Sequence, residues 1–416
     1  MNLAKSPLAP ENFPALPHIA GVRAATWSRG FYAARGIERD DVFLFAFDDG
    51  TQCAGVFTQS TTASDDVQWC RQALSESGGK AKALVANSGN SNAFTGPDGR
   101  LKNQATLHAL SATLGAPQSE CYLAATGVIG EALPDPNYIG ACIPDLASKL
   151  TAPNWEACAR AFMTTDTFPK GAGLEVSLGG QTIRFAGIAK GSGMIMPNMA
   201  TMLAYVFTDA AINAALLDRL LRVAVDESFN AITVDGDTST SDTLMVFATG
   251  QSGAPEIVDE ADPRCAAFLE ALKAVCLDLA QQIVRDGEGA SKFVTIDVIG
   301  TESVADAKKI AASVANSPLV KTALAANDAN WGRVVMAVGK AEIPLDQNEL
   351  AIWFDDVQVA ERGRRSVSYS EDAATEAVSK DELIIRIQTG HGPGSFRIYT
   401  CDLTHGYVDI NGAYRT

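Results

Sequence analysis

The chemistry this sequence can support with the fewest helpers is that of a hydroxyl beside a newly exposed amine, and the candidate is Thr201. An N-terminal threonine carries its own base. Its α-amine, which ordinarily titrates at ~7.7–8.0, can take the hydroxyl proton as the oxygen attacks a carbonyl. Such a threonine must first be released by cleavage. Ala200 precedes it and offers little bulk against attack of the hydroxyl on the Ala200 carbonyl. An N→O acyl shift followed by ester hydrolysis would free the amine, and a bond held at a strained junction suits that shift. An Ala-Thr pair alone does not distinguish such a site from an ordinary strand start.

Other catalytic chemistry finds little support. The four histidines, His18, His108, His391 and His405, make no metal-ligand spacing and read as structural or surface residues. No GxSxG elbow is present, and Gly89-Asn90-Ser91-Asn92-Ala93 lacks the second glycine. Asp235-Gly236-Asp237-Thr238-Ser239 opens like a calcium loop, but Thr240 stands where glycine is required and Val246 where the bidentate glutamate belongs. No metal site and no nucleotide-binding glycine motif is expected.

The elements around Thr201 place it at a junction. Gly191 to Ala200 holds two glycines and a proline and reads as an exposed loop. Thr201–Phe207 reads as a strand apolar on both faces. Thr208 and Asp209 are candidate caps for the next helix, where Leu216, Leu217, Leu220, Leu221 and Ala224 share one face. A second helix is expected over Arg264–Val284 with Pro263 at its start, ended by Gly287-Glu288-Gly289. Val42–Phe47 and Ala81–Ala86 read as buried strands, the latter followed by a turn at Asn87-Ser88-Gly89-Asn90. Phe293–Ile299 is a further strand. Glu382–Ile387 and Ser395–Cys401 read as strands joined by the turn Gly390 to Gly394. The alternation of strands and helices indicates an α/β or α+β architecture.

Composition narrows the partners. The chain has 416 residues, enough for two or three domains of ~100–200 residues or one large unit. A chain this long buries about 75% of its unfolded surface and needs no disulfide or metal to hold a core. The net charge of −16 argues against nucleic-acid or anionic-membrane partners. Cys53, Cys70, Cys121, Cys142, Cys158, Cys265, Cys276 and Cys401 form no CxxC pair and read as reduced and buried in a cytoplasmic protein. Met1–Phe13 lacks the apolar run of a signal peptide, and no stretch approaches ~20 apolar residues.

Many ordered segments together resemble the ornithine acetyltransferase family, across nearly the whole chain. Lys190-Gly191-Ser192-Gly193-Met194-Ile195 and Pro197-Asn198-Met199-Ala200-Thr201-Met202-Leu203 resemble its cleavage-site segment. Asn87-Ser88-Gly89-Asn90-Ser91-Asn92-Ala93 is similar to its asparagine-rich loop, and Ala125-Thr126-Gly127-Val128-Ile129-Gly130 to its oxyanion segment. Met163-Thr164-Thr165-Asp166-Thr167 resembles its substrate-contact stretch. Ser228-Phe229-Asn230 with the run Ile232 to Thr240, Asn330-Trp331-Gly332-Arg333, Cys401-Asp402-Leu403-Thr404 and Tyr414-Arg415-Thr416 complete the likeness.

The resemblance implies an α/β fold of stacked sheets flanked by helices, shared with DmpA-like aminopeptidases. It implies two fragments, 1–200 and 201–416, that stay associated and pair into a heterotetramer. It implies a cytoplasmic glutamate N-acetyltransferase of arginine biosynthesis that moves acetyl from N-acetylornithine to glutamate through Thr201. No cofactor is implied, and acetyl-CoA is a possible second donor. Thr201 would be the nucleophile, with Thr126 by its hydroxyl and Gly127 by its N–H as the oxyanion hole. Such donors supply ~3–4 kcal/mol each. Thr164, Lys190, Glu288, Asn411 and Thr416 would bind substrate. Lys190 suits a carboxylate and Glu288 the side-chain ammonium of ornithine. Ala231, Ser241, Phe94 and Gly412 depart from the family pattern, and Ala231 is expected to alter the charge near the site. The alternatives are an amidase or aminopeptidase of the same build, which would admit water, and a metabolite-binding relative without catalysis.

Overall fold

The computed structural model describes residues 3–196 and 202–413, and within them the strands form three sheets. The first runs β1 (Val22–Trp27), β2 (Val42–Phe47), β4 (Ala83–Asn90), β5 (Cys121–Val128). The second runs β3 (Gln52–Phe57), β9 (Thr243–Ala248), β8 (Leu203–Thr208), β7 (Gln181–Lys190), β6 (Lys170–Leu178). The third runs β13 (Arg364–Arg365), β12 (Val357–Glu361), β11 (Ala351–Phe354), β14 (Glu382–Gln388), β10 (Phe293–Thr301), β15 (Gly394–Cys401).

The first two sheets stack because their strands are apolar on both faces. In β2, Phe43, Phe45 and Phe47 point to the second sheet, where Tyr205, Phe207 and Phe247 meet them. The Phe45 and Phe207 rings lie 4.6 Å apart, and those of Phe47 and Phe247 4.5 Å apart. Such aromatic pairs add about 0.5–1.5 kcal/mol each beyond the area they bury. Helices α1 (Asp65–Ser77) and α4 (Trp155–Ala161) contribute Val67, Cys70, Trp155 and Cys158 to this same core. The other side of β2, Val42 and Leu44, packs under α2 (Gly96–Leu114) and α3 (Ile143–Ser148). The outer face of the second sheet is covered by α5 (Ala214–Asp226) and α6 (Pro263–Arg285). The order of layers is therefore helices, sheet, sheet, helices, as the stacked α/β expectation requires.

The third sheet buries one face. Strand β14 alternates buried Leu383, Ile385 and Ile387 with exposed neighbours, the period-two pattern of a half-covered strand. Its buried side meets α7 (Val304–Ala315), α8 (Pro318–Ala325), α9 (Trp331–Gly339) and α10 (Glu371–Val378). A last helix, α11 (His405–Ala413), begins against the Gly289 backbone.

The two long helices match their reading. α6 starts at Pro263 behind an Asp262 cap, and every residue assigned to the apolar face of α5 is buried. Three local expectations are corrected. Thr208 and Asp209 do not cap α5. Thr208 ends β8, Asp209 accepts hydrogen bonds from the Arg184 N–H and guanidinium, and Asn213 is the cap, accepting from the Leu216 N–H at 2.9 Å. Asn87 to Asn90 is not a turn but the end of β4, paired in parallel with β5 and irregular in register at Gly89 and Asn90. Strands β14 and β15 are not a hairpin, since β10 lies between them and pairs with both. All eight cysteines are free and buried, and the four histidines are exposed, as read. No helix among the described residues is long and apolar enough to cross a membrane.

Candidate active site

Three strand ends define the place. β5 ends at Thr126-Gly127-Val128, β7 ends at Lys190, and β8 enters after the Ala200–Thr201 position. β4 and β5 approach closely because Gly127 lies against Gly89. Gly127 has φ of +134°, and a Cβ there would overlap the Gly89 backbone. Only glycine meets both demands.

A cavity of about 450 Å³ opens at these ends. Of the residues singled out in the sequence, Thr126, Gly127, Thr164, Lys190, Glu288 and Asn411 all line it. Ala200, Thr201 and Thr416 lie outside the described residues. The six come from five separate regions of the chain, Thr126 and Gly127 being neighbours, so folding unites them. Of the four departures from the family pattern, Ser241 lines the cavity and Ala231 does not. Ala231 is buried in the turn after α5. Phe94 and Gly412 are exposed.

The Lys190 ammonium donates to Thr126 Oγ1 at 3.0 Å. The threonine oxygen thus accepts, which leaves its own proton to be donated elsewhere. Burial pushes the Lys190 ammonium below its ordinary value, with Asp166 opposing the shift. No carboxylate closes an ion pair on Lys190 among the described residues, which leaves it open to an anionic ligand.

The opposite wall is acidic. α6 ends at Arg285, and Gly287-Glu288-Gly289 turns the chain into the cavity. Gly193 leaves the space that the Glu288 carboxyl fills. Gly289, with φ of +72°, lets the start of α11 pack against its backbone. That contact brings Asn411 to donate to Glu288 Oε2 at 2.6 Å. Burial raises the Glu288 carboxyl above its usual value, and the Asn411 amide works against that rise. Asp235 is used differently. Its carboxylate accepts from the Met194, Ile195 and Asp237 amides, which fixes the backbone at Met194 and Ile195.

Sequence reasoning did not assign a role to the ion cluster behind this wall. Lys170 Nζ donates to Asp166 Oδ1 at 2.7 Å and to Asp286 Oδ2 at 2.6 Å, all three side chains being fully buried. Asp166 also accepts from the Gly191 N–H at 2.7 Å and the Thr164 N–H at 3.0 Å. Burial opposes ionisation of Asp166, but the Lys170 and Lys190 charges and the Gly191 amide hold its carboxyl well below the usual range. The cluster therefore clamps two cavity segments. Asp166 belongs to the stretch that resembles the family's substrate contacts, whereas nothing in the sequence tied it to Asp286.

The ArgJ family model matches residues 28–416. The chain belongs to the ArgJ family. The "Arginine biosynthesis bifunctional protein ArgJ" of Brucella suis biovar 1 is 52% identical to this chain, covering 100% of both. The protein of the same name from Nitrobacter winogradskyi is 51% identical, again over 100% of both. A solved structure of an arginine biosynthesis bifunctional protein argJ from Bacillus halodurans is 37% identical and covers 50% of this chain and 98% of its own, with a TM-score of 0.49. Within this ArgJ-family chain the family-like segments containing Thr126, Thr164, Lys190 and Asp235 all meet at one cavity.

Proposed function

We propose that the chain is a glutamate N-acetyltransferase of arginine biosynthesis, which cleaves itself before Thr201 and carries acetyl on that residue. N-acetylornithine gives its acetyl group to the Thr201 hydroxyl, forming an ester and releasing ornithine. Glutamate then attacks the ester and leaves as N-acetylglutamate. In the first half the Thr201 α-amine takes the hydroxyl proton and passes it to the departing ornithine nitrogen; in the second it takes a proton from the attacking glutamate amine and delivers it to the threonine oxygen.

The observation that carries this reading is the convergence of Thr126, Gly127, Lys190 and Glu288 on one cavity, in a chain related over its full length to proteins named for arginine biosynthesis. Each group has a task that fits its surroundings. The Thr126 hydroxyl and Gly127 amide serve the oxyanion. Lys190 holds a substrate carboxylate, and Glu288, steadied by Asn411, holds the ornithine ammonium, an ion that restores the charge burial discourages. Thr164 borders the same space, and Thr416 is proposed as a further contact. No cofactor takes part, and acetyl-CoA is a second donor on the strength of the word "bifunctional" in the relatives' names.

The two fragments, 1–200 and 201–416, are proposed to stay together, and the second sheet supports this. Its strands β6, β7 and β3 precede the cleavage point while β8 and β9 follow it, and β8 hydrogen-bonds to β7 and β9 to β3. Separating the fragments would break both ladders and leave four strand edges unpaired, on β3, β9, β8 and β7. On the family relationship we place two such pairs in a cytoplasmic heterotetramer.

The test is a product assay with N-acetylornithine, with and without glutamate. N-acetylglutamate is expected to form at the rate ornithine is released, with little free acetate. Ornithine and acetate released at the same rate without glutamate would make the protein a hydrolase instead.

A further inference from the structure

The segment Asn330-Trp331-Gly332-Arg333 takes no part in the catalytic cavity. It opens α9, and α9 forms one wall of a second cavity, of about 490 Å³, which shares no residue with the first. Val338 and Ala360, both buried, lie deepest. Trp331, Ile343 and Leu345 are half-buried walls, and Val335 is exposed. A cavity of this size, mostly apolar with few polar groups, is the usual form of a small-molecule site.

One charged group gives the site a preference. β12 and β13 are joined by Arg362-Gly363, both at positive φ, +49° and +69°, which makes a tight two-residue turn. The turn sets Arg364 opposite Glu361 in the ladder and brings it to the cavity. Glu361 does not close an ion pair with it. That carboxylate accepts from the Ser366 hydroxyl at 2.8 Å and from the Val367 N–H at 3.0 Å, and the charges of Arg362 and Arg364 act on it only at a distance. Arg365 is engaged over the Tyr369 ring. Arg362 and Arg364 make no hydrogen bond or ion pair among the described residues, and no carboxylate lines the cavity. In a chain of net charge −16 this is a local excess of positive charge beside an apolar hollow.

We propose that this cavity binds a small organic carboxylate with an apolar body. The body packs against Trp331, Ile343 and Leu345, and the carboxylate meets the Arg364 guanidinium. A planar guanidinium suits a carboxylate because its fork offers two parallel N–H donors. A neutral apolar molecule would leave Arg364 without a partner, and a compact inorganic anion would leave the apolar walls facing water. No hydroxyl, thiol, imidazole or carboxyl group lines the space, so it is a binding site and not a second catalytic one. The assignment is independent of the reading of Thr201.

The probe for the test is 1-anilinonaphthalene-8-sulfonate, an anion on an apolar body, titrated into the full-length protein with its fluorescence as the readout. One saturable site is expected, with a Kd on the order of 10–100 µM for a molecule of this size. The acid 4-phenylbutyrate should displace the probe, and the neutral 4-phenylbutyramide should compete about tenfold less well or worse. Arg364→Glu and Val335→Glu should each weaken the probe about tenfold. Both positions are exposed, so both variants should keep the wild-type circular dichroism spectrum. No saturable binding, binding that stays within about twofold of wild type in both variants, or equal displacement by the acid and the amide overturns the proposal. Should the variants not fold, the comparison of acid and amide on the wild type decides alone.

Discussion

A Thr201→Ala chain is expected to remain one polypeptide of 43.8 kDa and to lose acetyl transfer by about four orders of magnitude or more. One hydroxyl serves two reactions. Without it no ester can form at the Ala200 carbonyl, so the α-amine that should act as base stays locked in an amide. Turnover then lacks both nucleophile and base, and the oxyanion donors at Thr126 and Gly127 have no developing charge to meet. Effects of groups that act as a unit do not add, so removing further cavity residues from this variant should lower turnover little more. Thr201→Ser, which keeps a hydroxyl, should restore cleavage and part of the rate. Denaturing gel electrophoresis and the ornithine-release assay check both. Wild-type turnover by an uncleaved Thr201→Ala chain would remove Thr201 from the mechanism.

Lys170→Met is expected to destabilise the protein by about 3–5 kcal/mol, the usual cost of removing one partner from a buried ion cluster. The methionine fills most of the space but leaves Asp166 and Asp286 facing each other in a dry site. Asp166 is held below its ordinary value in the wild type. A carboxyl so lowered adds stability above its unfolded pKa, and that stability is lost only as pH falls through the lower folded value. Wild type should therefore show little loss from this group at pH 5. Without Lys170 the shift reverses, because burial now favours the protonated carboxyl. Stability then declines as pH rises, so the deficit of the variant should be larger at pH 8 than at pH 5. Denaturant unfolding at the two pH values measures this. Turnover should fall as well, since Asp166 holds the Gly191 and Thr164 amides. An equal deficit at both pH values would contradict the assigned charge state.

Legibility in the sequence followed locality. Helix α6 was readable because Pro263 marks its start and apolar residues recur every three or four positions. Strand β2 was readable because six apolar residues in a row can only be buried on both sides. The failures were non-local. Nothing near Glu382 or Ser395 says that β10 will lie between them, and Asn87 to Asn90 has turn chemistry that parallel pairing with β5 overrides. The site divides in the same way. The family likeness, not spacing, singled out Lys190 from 33 basic residues, Thr126 from the other threonines, and Glu288 from a helix end. Lys170 escaped notice because its partners lie 4 and 116 positions away.

The central claim is that acetyl passes through an ester on a threonine that begins a polypeptide. Enzyme mixed with N-acetylornithine carrying a labelled acetyl group, without glutamate, should be quenched in acid, digested and sequenced by mass spectrometry. The account predicts one acetyl label on the peptide beginning at Thr201, lost when glutamate is added before quenching. A label on any other side chain, or turnover with no labelled peptide, would contradict it.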